Sequence, residues 1–194
     1  MFYWVAFNAA YDELGSPGGL LNRTQAAQHF QDYFKKIAVC DSGKAIRSAV
    51  LSDLGSQTEK LLNNKYVFEP YWKYYHGVTK NTGWKSQLDS SKKRAARAIT
   101  YMRQTNIAAA EKGVVVLCEL FDRLYTLRNQ LLHGSATWKS SVNRKQVEPG
   151  ADLMARLVPY FVEVMIDYPD AGWDAPRYPA VRESGPMSGW PGDE

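Results

Sequence analysis

Residues 108 to 132, AAAEKGVVVLCELFDRLYTLRNQLL, are the strongest helical segment of the chain. At about 100° per residue, Leu117, Leu120, Phe121, Leu124, Leu127 and Leu131 fall on one face, which other elements must cover. No strand-like alternation and no internal repeat accompany it. The expected fold is therefore all-α, a bundle of four to five main helices with short accessory helices. With 194 residues the chain has room for one domain with a sizeable core. A helical domain is expected over residues 1–168. Residues 169–194, PDAGWDAPRYPAVRESGPMSGWPGDE, form a Pro/Gly-rich C-terminal tail without periodicity, with Trp173 and Trp190 as its candidate packing points.

The other elements follow from the same reading. An apolar, aromatic run over 2–14 is broken by GSPGG at 15–19. Thr24 can cap a helix whose Ala27, Phe30, Phe34, Ile37 and Ala38 share a face. Residues 43–64 are weakly helical, and the aromatic-rich YVFEPYWKYYHG (66–77) reads as a short helix or an irregular packed connection. A basic helix is expected over 89–106. After Pro149 a last helix should carry Leu153, Leu157, Val158, Phe161, Val164 and Met165 on its apolar face, bent or shortened by Pro159.

Charge is unevenly spread. Of the net +4, the segment from Lys85 to Arg103 contributes +5: Lys85, Lys92, Lys93, Arg94, Arg97 and Arg103 against Asp89. Such a run is either a solvated helix face or a contact for a polyanion such as nucleic acid. Cys40 and Cys118 lack a paired spacing and sit among apolar residues, so they read as small core residues in a reduced, cytoplasmic setting. The N-terminal MFYWVAF meets Asn8 too soon for a signal peptide, and no segment is long enough to span a membrane. The chain's start within an amphipathic pattern points to a shortened first helix or a start further upstream. His29, His76 and His133 are too isolated to form a zinc spacing with the cysteines, GSPGG lacks a phosphate-binding lysine, and no serine occupies a nucleophile elbow. Neither a metal nor an organic cofactor is expected.

Arg128 breaks the pattern of the strongest helix. It follows Leu124 by four residues and Phe121 by seven, which puts a guanidinium on the apolar face, whereas Arg123, Gln130 and Glu119 are assigned to the opposite, polar side. The guanidinium is aimed into the bundle or into an interface, and two readings fit: a buried or half-buried Arg paired with a carboxylate of another helix, Asp12 or Glu13 for instance, or a functional group. His133 would point about 140° away on an ideal helix, but Gly134 ends the helix and lets the imidazole swing back. Alone, His133 would be read as a residue interacting with the helix dipole.

The string Arg128-Asn129-x-x-x-His133, RNQLLH, resembles the motif of the HEPN family of helical bundles: Arg, a polar residue that is often Asn, a short spacer, His. LFDRLYTLRNQLLHGSATWKSSVNRKQV, FYWVAFNAAY and LLNNKYVFEPYW together look like the bacterial abortive-infection and Apea-like HEPN groups across most of residues 1–166. The resemblance implies a metal-independent endoribonuclease acting in phage defence or as the toxin of a toxin-antitoxin pair. It also implies a homodimer in which two motifs face one cleft. An antitoxin or defence-system partner protein is part of the same expectation. Some HEPN toxins carry a modifiable tyrosine two residues after the His; here that residue is Ser135.

The residue types suit the chemistry. RNA supplies its own 2′-hydroxyl nucleophile, so the protein must supply proton transfer and charge stabilisation. His133, with an ordinary pKa of about 6.5, can move protons at the 2′-hydroxyl or the leaving 5′-oxygen. Arg128 can grip the non-bridging phosphate oxygens, and Asn129 can hold the phosphate or orient His133. Asn8 is a candidate support for the site, and Tyr11 reads as core. Lys92, Lys93, Arg94 and Arg97 are candidate RNA contacts. Trp138, Asn143 and Arg144 either touch RNA or brace their loop. The rival expectation is a non-catalytic HEPN module that binds nucleotides, RNA or a protein.

Overall fold

The computed structural model describes residues 2–11, 23–41, 44–80, 82–104, 109–132 and 141–173. Their helices are α1 (Phe2–Tyr11), α2 (Arg23–Cys40), α3 (Lys44–Ser48), α4 (Gly55–Asn63), α5 (Glu69–Tyr75), α6 (Trp84–Gln104), α7 (Ala109–Leu132) and α8 (Ser141–Asp167). A π-turn at Ala49–Asp53 joins α3 to α4, and a 3-10 turn at Lys65–Val67 leads into α5. No strand occurs among the described residues, so the fold is an all-α bundle.

The strongest helical segment takes the centre. α2 and α6 pack along α7 most extensively, and α3, α4, α8 and the 65–67 turn cover further parts of it. Phe121 of α7 meets Phe7 of α1 and Phe34 of α2 at ring-centroid distances of 4.6 and 4.8 Å, and Phe161 of α8 closes the cluster at 5.9 Å from Phe121. These rings are fully buried. Each contributes its large apolar area to burial as well as ring-on-ring contact, and together they join α1, α2, α7 and α8.

Two glycines allow close approach to α7. A Cβ on Gly113 would lie 2.9 Å from Ile46 Cγ2, and one on Gly150 would lie 2.7 Å from Leu127 Cδ2. Ile46 is buried and β-branched, with little rotamer freedom to yield. Gly113→Ala is therefore expected to lower stability by about 1–2 kcal/mol in urea titration, although helix propensity alone would raise it by about 1 kcal/mol. A stabilised variant would show that α3 can retreat freely from α7.

α8 departs from expectation. It begins at Ser141, not after Pro149, and continues past Pro159 to Asp167. Each proline removes a backbone donor and crowds the preceding turn. Burial of Leu153, Met154, Leu157, Val158, Phe161 and Val164 offsets that cost along the helix. Trp173 packs as the sequence allowed: its ring lies 6.2 Å from that of Tyr33, its Nε1 donates to Tyr168 O at 2.7 Å, and Lys36 Nζ donates to Gly172 O at 3.0 Å. Trp190 lies outside the described residues.

Candidate functional site

The end of α7 carries the first two residues of the Arg-Asn-His string. Arg128 is half-buried, its Nη1 donates to Asn129 Oδ1 at 3.0 Å, and its guanidinium carbon lies 6.0 Å from the centroid of the Tyr125 ring. Tyr125 is partly exposed and meets Trp4 edge-on at 6.5 Å. Asn8 is exposed on α1, one turn beyond Trp4. Among the described residues no carboxylate pairs with Arg128; Asp12 and Glu13, its candidate partners, lie outside them. So do His133, Gly134 and Trp138, and the side chains of Tyr11, Asn143 and Arg144 are likewise not described. The fold thus shows the Arg128–Asn129 contact of the expected set and leaves the His133 position to the residues that follow.

A set of amides braces this helix end from the other side. Gln130 Nε2 donates to Tyr66 O at 2.6 Å, Gln146 Nε2 donates to Gln130 Oε1 at 3.4 Å, and Asn64 Nδ2 donates to Gln146 Oε1 at 3.4 Å. Asn64 Oδ1 also accepts from Tyr66 N at 2.9 Å. These bonds tie the 65–67 turn and α8 to α7, holding the turn that carries Arg128 and Asn129 in place.

Arg123 does lie on the polar side of α7, but that side is not exposed as an amphipathic pattern implies. Arg123 has a relative exposure of 0% and is the largest fully buried side chain described. Nη1 donates to Asp122 Oδ2 at 2.9 Å, Nη2 donates to Ser91 Oγ at 2.5 Å, and the guanidinium lies 4.4 Å from the Phe68 ring centroid. Nε has no hydrogen-bond partner among the described residues. Ser91 Oγ in turn donates to Glu119 Oε2, while Glu119 Oε1 accepts from Arg94 Nε at 2.9 Å and Nη2 at 2.6 Å. Burial lowers the Arg123 pKa, and the neighbouring Asp122 and Glu119 carboxylates oppose that shift. An amphipathic reading treats polar residues as facing water. α7, however, is a central helix, and α6 with Phe68 covers the side that carries Arg123. Only the polar stripe Glu119, Asp122, Arg123, Thr126 hinted in sequence that the helix has a second buried side.

Beside this network α5, α6 and α7 enclose a cleft of about 460 Å³, lined among others by Phe68, Ser90, Arg94, Cys118, Glu119 and Asp122. Burial pushes the Cys118 thiol from an ordinary 9.0 up to about 11. The folded state therefore keeps its proton longer than the unfolded chain does. The associated stability is fully present below about pH 9 and is lost as pH rises through about 11. In a Cys40→Ser background, iodoacetamide at pH 8 is expected to label native Cys118 about 100-fold more slowly than the urea-unfolded chain. Equal rates would show an accessible, ordinary thiol.

The four candidate basic residues of α6 differ in their surroundings. Arg94 turns to Glu119, Lys92 is half-buried, and Lys93 and Arg97 are exposed on a shared face with Tyr101. Among the described residues no group of three or more His, Cys, Asp or Glu is placed to hold a metal, and no helix is long and apolar enough to cross a membrane. No family model, curated protein or solved structure matches the chain.

Proposed function

We propose that the chain is a metal-independent endoribonuclease of the HEPN type that cleaves RNA through attack of the 2′-hydroxyl on the adjacent phosphorus. The observation that carries this reading is the half-buried guanidinium of Arg128, held by Asn129 one turn before α7 ends, with His133 next after Leu132. A permanently charged fork with no carboxylate partner among the described residues suits a phosphate whose charge grows in the transition state. His133 takes the proton of the 2′-hydroxyl or gives one to the leaving 5′-oxygen, and Asn129 orients the site. The products are a 2′,3′-cyclic phosphate and a 5′-hydroxyl. Because in-line displacement needs a base and an acid on opposite sides, the proposal includes a homodimer that sets two motifs across one cleft. The biological setting is phage defence or a toxin-antitoxin pair, with a partner protein in control.

Purified protein incubated with total RNA in EDTA tests the reading. The wild type is expected to cleave, and His133→Ala and Arg128→Ala are not. Cleavage surviving both substitutions would overturn the assignment, and cleavage by a monomer in light scattering would remove the composite site. Absence of cleavage in every form, with RNA still bound, would favour a non-catalytic binding module.

A further inference from the structure

None of the seven residues of α5 is buried, although four of them are Tyr71, Trp72, Tyr74 and Tyr75. Tyr75 has a relative exposure of 65%, and Tyr74, His76 and Tyr66 are exposed beside it. Apolar rings gathered on a surface in this way mark an interaction site. Their arrangement is ordered: Tyr71 stacks on Tyr75 at 6.1 Å and 27°, Trp72 stacks on His76 at 5.6 Å and 22°, and Trp84 meets Tyr71 edge-on at 5.0 Å. Cations surround them. Lys65 Nζ lies 5.0 and 5.2 Å from the Tyr66 and Tyr71 centroids, and Lys85 Nζ lies 5.8 Å from that of Trp84. From residue 65 to 85 there are four lysines and one acidic residue, Glu69, which pairs with Lys73.

We propose that α5 and the turn after it form a stacking platform for single-stranded RNA. Flat, exposed rings suit unpaired bases, and the lysines among them suit the phosphates between those bases. A duplex hides its base faces and fits poorly. Two bonds tie the platform to the last turns of α7: Tyr66 O accepts from Trp72 Nε1 at 2.7 Å and from Gln130 Nε2 at 2.6 Å. Gln130 is two residues after Arg128 and about 200° round α7 from it. Arg128 and the Tyr66 contact are thus carried by the same stretch of α7, on different sides of it. The proposal rests on RNA being the partner in the proposed function, but not on cleavage.

The test measures anisotropy of a labelled single-stranded RNA of about 12 nucleotides, and of its duplex, with His133→Ala protein so that cleavage does not intervene. The single strand is expected to bind about tenfold more tightly than the duplex. Tyr75→Ala should weaken that binding about tenfold, while Tyr75→Phe, which keeps the ring, should restore it. Because Tyr75 is largely exposed, both variants should keep the parental helical circular dichroism. Binding unchanged in Tyr75→Ala would overturn the platform and leave the nuclease standing. Tyr75-dependent binding with no cleavage by the wild type would sustain the platform and overturn the nuclease. Tyr75-dependent self-association in light scattering, without RNA binding, would also overturn the platform by making this face a contact between copies.

Discussion

Replacing Arg123 with alanine is expected to cost about 3–5 kcal/mol of folding stability, seen as a melting temperature lower by about 10 °C. The guanidinium is wholly buried, and its fork joins Ser91 of α6 to Asp122 of α7 while its flat face covers Phe68. Alanine removes those bonds, opens a cavity beside Phe68 and withdraws one of the two hydrogen-bond partners of the buried Ser91 Oγ, leaving it Glu119. Arg123→Met should lose less than half as much, because it refills the space and removes a charge that burial disfavours, and the Asp122 side chain, 35% exposed, can turn to water. Arg123→Lys should fall between them, since an ammonium on one stem cannot bridge both partners. An alanine variant that melted with the wild type would show that the network adds nothing to the fold.

The other arginine should behave in the opposite way. Arg128→Ala is expected to lower RNA cleavage by about 10²–10³-fold while changing stability by less than about 1 kcal/mol. Its hydrogen bond among the described residues is to its own neighbour, Asn129, so little packing depends on it. Arg128→Lys should recover only part of the rate, because a point charge cannot hold two phosphate oxygens in a planar fork. His133→Ala should lose about 10²–10⁴-fold, as expected for removal of a proton-transfer group. Initial rates on a fluorogenic RNA, paired with melting curves, separate the two cases. If Arg128→Ala unfolded the protein as readily as Arg123→Ala, Arg128 would be a structural residue and the phosphate role would fail.

The two arginines also show where a periodic reading of helices succeeds and where it stops. The leucine and phenylalanine spacing of 117–131 located α7 and its main buried face, and the shared face of Ala27, Phe30, Phe34 and Ile37 located α2. These inferences depend only on the pitch of a helix and the cost of exposing apolar area. Arg123 was assigned to the polar side and Arg128 to the bundle or an interface, because periodicity describes one face against its opposite. In the bundle α7 has neighbours on several sides, so the side that reads as polar is covered by α6 and Phe68. Toward Leu132 the described residues cover the apolar face less fully, and Arg128 is half-buried among them. The first two turns of α8, from Ser141 to Glu148, were missed because Pro149 reads as a helix boundary, whereas packing holds it inside the helix.

By itself, then, the order of residues determined the all-α class, the position of the strongest helix, and the placing of Arg128 and Asn129 in its last turns, because these are local properties of pitch, propensity and spacing. Tertiary structure decided which charges are enclosed, where Arg123, Ser91, Glu119 and Arg94 meet, and that the aromatic rings of α5 stay on the surface beside lysines. Those outcomes depend on which helix lies over which, a choice made by the summed packing of distant segments that no single stretch of sequence contains.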